Sequence, residues 1–546
     1  MRDQTVLRAD VWRPGGNGPL PTLLQRLPYD KRAAMPSAVL PALEPARAAA
    51  AGFAVVIQDT RGRFASDGVF SPFAQEGRDT ADTLAWIRRQ SFSNGRIGMY
   101  GVSYGGVGQL LAAAALPSAL GAIAPQMTGP DPYSWFWEGG ALRLGFALWW
   151  STSALARVEA ARRRSRGVQV AHHAELDAAL RDPWTALRTL PVTAHAALDE
   201  LVPEYREWVT HPARDAYWSQ YPGLETFAHG ACPALHIGGW HDLFLRGTLQ
   251  AFTALGGRLI VGPWAHAVPH DAVGEVEYGP EAAQAAIALG SEQLRWFQQH
   301  LNGVEPVDAP PVRLFVMGAN RWRDAGSWPP ERVQPTALHL RADGRLSVEP
   351  PGPEEGSTTF AYDPHDPVPT NGGATFLPGL YVALHGGPRD EAAIAARRDV
   401  LTYTSEPFTR PTEITGDLTA HLYVATDAKD TDWTVKVVVL DARGVARGLT
   451  DGIVRARYRD GAGSARPPRM WEPHLVSIDA GATSLLLAPG ERIGLQVSSS
   501  NFPKYDRNPN HGGDLATATE ADFVVAHQTV FHERSRPSRI VLPLVT

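Results

Sequence analysis

The run Gly101-Val102-Ser103-Tyr104-Gly105-Gly106 constrains this chain more than any other feature. It stands between a short apolar stretch, Ile97 to Tyr100, and an alanine- and leucine-rich one, Gly106 to Leu116. The first reads as a strand and the second as a helix. G-x-S-x-G between the two describes a sharp strand-to-helix turn that exposes a serine. Glycines two before and two after the serine give the room for close backbone packing. The helix N-terminus behind the serine favours developing negative charge. A bare G-x-S-x-G also fits a structural turn with an inert serine, and it is the flanking strand and helix that favour a nucleophile.

The surroundings extend the pattern. Val6 to Val11, Thr22 to Leu27 and Phe53 to Gln58 are strand-like, Ala46 to Ala51 and Thr80 to Arg89 helical, and Gly121 to Pro125 is strand-like again. Alternating strands and helices imply a parallel sheet covered on both faces. The chain opens at Thr5 to Trp12 almost inside a strand, which suggests either a missing upstream strand or a misassigned start site. From Asp131 to about residue 226 the chain turns helical, with Leu176 to Leu190 as one expected helix. Strands resume at Pro233 to Ile237 and Arg258 to Val261. A long helix is expected over Pro280 to Leu301, closed by Asn302-Gly303.

Beyond Pro306 short β-branched runs separated by Pro and Gly clusters predict a β-sandwich or jelly roll: Val312 to Val316, Leu418 to Val424, Thr434 to Leu440, Arg492 to Val497 and Arg539 to Leu544. Pro350 to Gly356 reads as a loop. The expected units are 1–128 with 227–308 for an α/β-hydrolase domain, 129–226 for a helical cap inserted into it, and 309–546 for a C-terminal β jelly roll of the galactose-binding-like kind.

A chain of 546 residues is too long for one core, and its net charge of -6 argues against a nucleic-acid partner. The basic run Arg162, Arg163, Arg164, Arg166 reads as a solvated helix face. No leader pattern and no long apolar span suggest a membrane or export, and the single cysteine, Cys232, allows no intrachain disulfide. A cytoplasmic location is expected. Oligomeric state is left open, with a homodimer among the readings.

In this class of sheet an acid and a histidine follow the serine, each just past a later strand. The run Gly238-Gly239-Trp240-His241-Asp242 follows one strand, and Gly262-Pro263-Trp264-Ala265-His266 follows the next. Asp242 and His266 therefore fall where an orienting acid and a general base belong. His236 lies within a strand and reads as buried structure, His241 could tune the site, and His172-His173 read as surface. His266 and His270 lack the further ligands of a zinc site, so no metal and no organic cofactor is expected.

At these residues the chain resembles the cocaine esterase / X-Pro dipeptidyl-peptidase hydrolases, the CocE/NonD family. The matching blocks are Pro28-Tyr29-Asp30-Lys31, Gln58-Asp59-Thr60-Arg61-Gly62 with Ser66-Asp67-Gly68, Gly98 to Tyr104, Gly239 to Asp242, Val261 to His266, Asp451 to Arg455 and Ser498 to Asp506. The resemblance implies the three-unit architecture. It also implies an oxyanion hole made by the Tyr104 backbone N–H and the Tyr29 phenol; read alone, Tyr29 is a core or turn tyrosine.

By the same resemblance Trp135, Trp150 and Phe244 line an acyl pocket, with Thr375 and Phe376 approaching from the C-terminal unit. Phe136, Trp137, Phe146 and Trp149 add to the aromatic surroundings, which favour flat or bulky acyl groups. The other reading is that these rings glue cap to core. His241 where the family usually has tyrosine, and Thr375 where close esterases are apolar, weigh against a strictly benzoyl pocket. Leu243-Phe244-Leu245 carries none of the carboxylates with which amino-acid ester hydrolases hold a substrate amine. The expectation is a serine hydrolase of carboxylic esters with a small-molecule ester substrate. The alternative is an X-Pro dipeptidyl-peptidase or amide acylase acting on short peptides, with Glu138 or Asp131 holding the amine. A third reading is a non-catalytic carbohydrate- or partner-binding protein.

Overall fold

The computed structural model describes residues 1–16, 18–32, 43–116, 118–222, 224–227, 230–266, 268–305, 309–378 and 386–546. Nine strands form the first sheet: β1 Ala9–Trp12, β2 Leu20–Leu27, β3 Ala54–Asp59, β4 Ser93–Val102, β5 Ala122–Gln126, β6 Leu235–His241, β7 Arg258–Ala265, β8 Val312–Val316 and β9 Arg321–Ala325. Their order is β1-β3-β2-β4-β5-β6-β7-β8-β9. The interior is parallel, and only the edge strands β1 and β9 run antiparallel to their neighbours.

Interior strands of such a sheet are covered on both faces, so they read as near-continuous apolar runs. In β3 all six residues are buried. Neighbours along a strand point to opposite faces, and the core divides accordingly. Leu23, Val55 and Tyr100 pack on one face with Phe297 and Leu301, while Leu24, Val56 and Met99 pack on the other with Leu84 and Leu110. Fully burying one such aliphatic side chain contributes about 1.5–3 kcal/mol.

The helices that cover these faces are α1 Glu76–Arg88 and α2 Tyr104–Ala115, and later α4 Leu245–Leu255 and α5 Leu289–Asn302; between them, among the inserted helices, stands α3 Leu144–Trp150. α5 lies so close that a Cβ at Gly98 would come within 2.8 Å of Phe297, and one at Gly121 within 2.4 Å of Leu301. Gly303, at φ 69°, ends α5 in the left-handed conformation that glycine tolerates.

Two helix expectations are corrected. The run Pro280 to Leu301 is a short 3-10 turn, Pro280–Ala282, then turns, then α5. Its backbone groups are committed elsewhere: the indoles of Trp322 and Trp264 donate to the carbonyls of Glu281 and Ala282, each at 2.8 Å, and the Gln284 N–H donates to the Pro269 carbonyl. Leu176 to Leu190 is two helices, His173–Arg181 and Pro183–Arg188. Pro183 cannot continue the first, and the Asp182 carboxylate caps the second by accepting from the Thr185 N–H.

Between β5 and β6 the chain is mostly short helices. α3 runs without a break into a π-helix, Ser151–Ala156. His172 and His173 are exposed, as the sequence suggests. Among the described residues no helix is long and apolar enough to cross a membrane.

The C-terminal unit is an 11-stranded, largely antiparallel assembly. Its members include β10 Thr412–Thr426, β11 Asp432–Leu440, β12 Ala446–Arg455, β13 His474–Leu487 and β14 Arg492–Ser498. Val312 to Val316, expected in this unit, belongs instead to the first sheet as β8. With four of its five residues buried, it suits an interior parallel position. Residues 306–308, where the expected boundary before residue 309 falls, lie outside the described residues. The units are stitched together by buried polar contacts. Arg455 bonds Asp432 and Asp506, and the same Oδ1 of Asp506 accepts from the Leu142 N–H at 2.9 Å.

Candidate active site

Ser103 follows β4 and caps α2 at φ 58°, ψ -120°. A positive φ at a non-glycine residue between strand and helix is the strained turn that G-x-S-x-G anticipates. The flanking glycines are needed for distance as well as conformation. A Cβ on Gly101 would approach the Gly105 carbonyl oxygen to 3.1 Å, and one on Gly106 would meet Thr128 at 2.6 Å.

Asp242 and His266 are the first residues past the ends of β6 and β7. The Nδ1 of His266 lies 2.7 Å from Oδ1 of Asp242, and both residues are buried. The rings of Phe244 and Phe376 stand edge-on to His266, with centroids at 5.4 and 5.8 Å. These contacts fix the imidazole from three sides. The Ser103 hydroxyl interacts with Tyr29, and among the described residues it has no hydrogen bond to His266. His241 is not turned to tune this pair: its Nε2 lies 2.7 Å from the Tyr278 hydroxyl. Burial depresses its pKa to about 4. His236 is buried strand structure, as expected.

The Tyr29 hydroxyl accepts a 3.0 Å hydrogen bond from the Trp150 indole. With its oxygen so engaged, the phenol's own proton is available toward Ser103. Burial pushes its pKa up to about 12, outweighing the opposing effects of the Trp150 bond, the Arg63 charge and Ser103. The phenol is therefore a protonated donor at any ordinary pH.

Tyr104 is anchored through its side chain. Its hydroxyl accepts from the Phe73 N–H at 2.8 Å and donates to Glu76 at 3.2 Å, while Glu76 pairs with Arg26 at 2.5 Å. Burial raises the pKa of both Glu76 and Tyr104. The Tyr104 ring stacks on Trp150 at 6.1 Å, so both candidate oxyanion donors lean on one indole. Behind them Arg63, buried, donates to the carbonyls of Pro28, Ala154 and Leu155. It thereby ties the segment carrying Tyr29 to the π-helix that follows Trp150.

The aromatic residues singled out from sequence come together. Trp135 lies 4.2 Å from Phe244 and 6.2 Å from Trp150, ring to ring. Phe376 reaches the group through His266 and through Phe146 at 5.6 Å; Thr375 beside it is buried. Two rings at the centre were not assigned to the pocket from sequence. Phe146 stacks on Trp150 at 5.5 Å and faces Phe244 at 5.6 Å. Its signal was there, since it stands one helical turn before Trp150 on α3. Phe73 touches Tyr104, Trp135 and Trp150 at 5.2, 5.2 and 6.0 Å. It sits in a loop at φ 68°, where no periodicity could disclose it.

The two carboxylates that the peptidase reading assigns to an amine are committed. Glu138 pairs with Arg143 at 2.6 Å. Burial opposes its ionisation, but the charges of Arg143, Lys504 and Arg246 win and hold the pKa near 2. Asp131 pairs with Arg214 and accepts from the Tyr133 N–H.

The chain is similar to known proteins along nearly its whole length. Residues 3–268 match the X-Pro dipeptidyl-peptidase (S15 family) domain, and residues 302–541 match the X-Pro dipeptidyl-peptidase C-terminal non-catalytic domain. Cocaine esterase of Rhodococcus sp. (strain MB1 Bresler) is 38% identical over 564 residues, an alignment covering 100% of this chain and 97% of that protein. Among solved structures, an aminopeptidase from a marine sediment Thaumarchaeota archaeon superposes with a TM-score of 0.86 at 24% identity, covering 100% of this chain and 95% of that one. A CocE/NonD family hydrolase from Staphylococcus aureus gives 0.72 at 20% identity, covering 100% and 92%. At such identities the two structures speak for the fold.

Proposed function

The chain is a serine ester hydrolase of the CocE/NonD family, and from that premise we propose that it cleaves carboxylic esters with a bulky or aromatic acyl group, using Ser103, His266 and Asp242 as its triad. The observation that carries the acyl assignment is the set of rings around the serine and the histidine: Trp135, Trp150, Phe244 and Phe376, joined by Phe73 and Phe146. A site walled by π faces takes a flat acyl group by stacking and edge contacts. Cocaine esterase, whose name states its substrate, is the relative that fits this reading.

The reaction is two-step acyl transfer. The substrate carbonyl oxygen takes the hydrogen bonds of the Tyr29 phenol and the Tyr104 N–H. That frees the Ser103 hydroxyl from Tyr29 to turn to His266. Ser103 Oγ then attacks the carbonyl carbon, and His266 Nε2 receives its proton while Asp242 holds Nδ1–H and stabilises the imidazolium. Collapse of the tetrahedral intermediate expels the alcohol, which takes the proton from His266. Water, deprotonated by His266, attacks the acyl-enzyme, and the acid leaves with Ser103 restored. The two donors aimed at the oxyanion supply a large share of the rate.

The peptidase reading needs a carboxylate for a charged N-terminus. The engagement of Glu138 and Asp131 by arginines weighs against it. We also read the protein as cytoplasmic, on its single cysteine and negative charge, with no nucleic-acid partner. The test is a side-by-side rate on 4-nitrophenyl benzoate, 4-nitrophenyl butyrate and Ala-Pro-4-nitroanilide, with Ser103→Ala as control. Fast Ser103-dependent cleavage of the benzoate and a silent anilide are expected. An anilide cleaved as efficiently as the esters would replace this reading with the peptidase.

A further inference from the structure

Where the three parts of the chain meet lies a cavity of ≈ 570 Å³ that the reaction above does not use. The inserted helices contribute Glu138 and Arg143, the segment from Trp240 to Ala254 forms one wall, and the β-rich unit supplies Asp417, Asp451, Asp479 and Lys504. Its size is that of a small-molecule site. Part of the wall is aromatic: the rings of Trp240 and Trp328 lie 5.7 Å apart. Trp240 is fixed by its indole N–H, which donates to the Phe315 carbonyl at 2.7 Å.

The charges around the cavity pair off with one remainder. Arg143 takes Glu138, Lys504 takes Asp451 at 2.7 Å, and Arg246 takes Asp479 at 2.5 Å. Each basic group is thus committed to a carboxylate. Asp417 has no ion pair and no side-chain hydrogen bond among the described residues, and Asp479 lies near enough to repel it. Asp417 is itself exposed at the rim of the cavity; partial desolvation and the like charge of Asp479 raise its pKa above the ordinary value against the attraction of Arg246. An anionic ligand would have to displace an existing pair, whereas a cation would find a carboxylate with no direct ion-pair partner in a cavity that two indole rings also line, the combination that holds ammonium groups.

We propose that this cavity is a second, non-acylating site for a small organic ammonium with an apolar body, its charge at Asp417 and its body against Trp240 and Trp328. The site stands apart from the aromatic box, yet Asp242 and Leu243 contribute to its wall. The Arg143 guanidinium donates to the Leu243 carbonyl at 3.1 Å, so a ligand here rests against the segment that carries the proposed triad acid.

The probe is 2-phenylethylammonium, measured by titration calorimetry against neutral 2-phenylethanol. The ammonium should bind roughly tenfold more tightly than the alcohol. Asp417→Asn should erase that preference while ester cleavage and melting temperature stay at wild-type values. Saturating benzoate, which fills the acyl box, should leave ammonium binding unchanged, as should Ser103→Ala. Absence of saturable binding, a preference that survives Asp417→Asn, or competition by benzoate would each overturn the proposal. None of these outcomes depends on whether Ser103 is the nucleophile.

Discussion

Tyr29 works as a donor only while it keeps its proton, and two neighbours set that. Burial holds its pKa near 12, and the Trp150 indole occupies its oxygen. Tyr29→Phe should lower kcat by roughly 10²- to 10³-fold with little change in KM, the usual cost of one oxyanion donor. Trp150→Phe keeps a ring in the wall but removes the N–H that orients the phenol. It should lower kcat about tenfold, by the arithmetic of one ordinary hydrogen bond. An unshifted tyrosine would be half ionised near pH 10. With the pKa raised, the neutral donor form persists, so kcat should stay level through pH 10; a fall with a midpoint near 10 would show that the phenol is not held as described. The residue-level reading from sequence placed Ser103, Asp242 and His266 because each follows a strand end. Tyr29 came from family resemblance alone, since nothing in Pro28-Tyr29-Asp30 marks a donor. Phe73 stayed invisible because its role depends on a loop conformation.

Among the elements, the sheet was legible because buried parallel strands are continuous apolar runs. Its helices were legible where they cover that sheet with an apolar stripe. The alanine-rich run from Ala282 misled for a reason propensity does not contain: its carbonyls and N–H groups are taken by Trp264, Trp322 and Pro269. β8 was assigned to the wrong unit because a short apolar run does not say which sheet it joins. The π-helix Ser151–Ala156 also had no sequence signal. Arg63 holds it through the Ala154 and Leu155 carbonyls, and a lysine cannot reproduce that fork. Arg63→Lys should therefore destabilise the protein by about 2 kcal/mol in a urea titration and lower kcat through Tyr29, whose neighbour Pro28 it also binds. Unchanged stability and kcat would separate Arg63 from both roles.

At the scale of the whole molecule, the inserted helices meet the β-rich unit at a buried carboxylate, Asp506, which accepts from the Leu142 N–H and is paired within its own unit to Arg455. Arg455 is fully enclosed between Asp432 and Asp506. Arg455→Met should cost about 3–5 kcal/mol, because it strands two carboxylates in the interior; denaturant unfolding measures it. Acid should act on the fold as well. Burial lowers the pKa of His236 and His241 to about 4, from 6.5 in the open chain. Above pH 6.5 neither state is protonated at these residues. Below it the unfolded chain binds protons that the folded one refuses, so stability falls as the pH drops from 6.5 to 4, by up to about 3 kcal/mol per histidine. Midpoints in urea at pH 7 and pH 5 should differ in that direction. The inserted helices were visible in the change of pattern near residue 131, whereas the change near 306 comes before the last two strands of the first sheet. The stitching between the parts was not visible, since it pairs residues as distant as Leu142 and Asp506.

The most direct test of the account is to trap the covalent intermediate. The enzyme would be quenched in acid during turnover of 4-nitrophenyl benzoate and digested, and the peptide containing Ser103 weighed by mass spectrometry. A benzoyl group on Ser103, lost when the enzyme is left to complete turnover, is the predicted result. Steady turnover with Ser103 never acylated, or acylation of another residue, would contradict it.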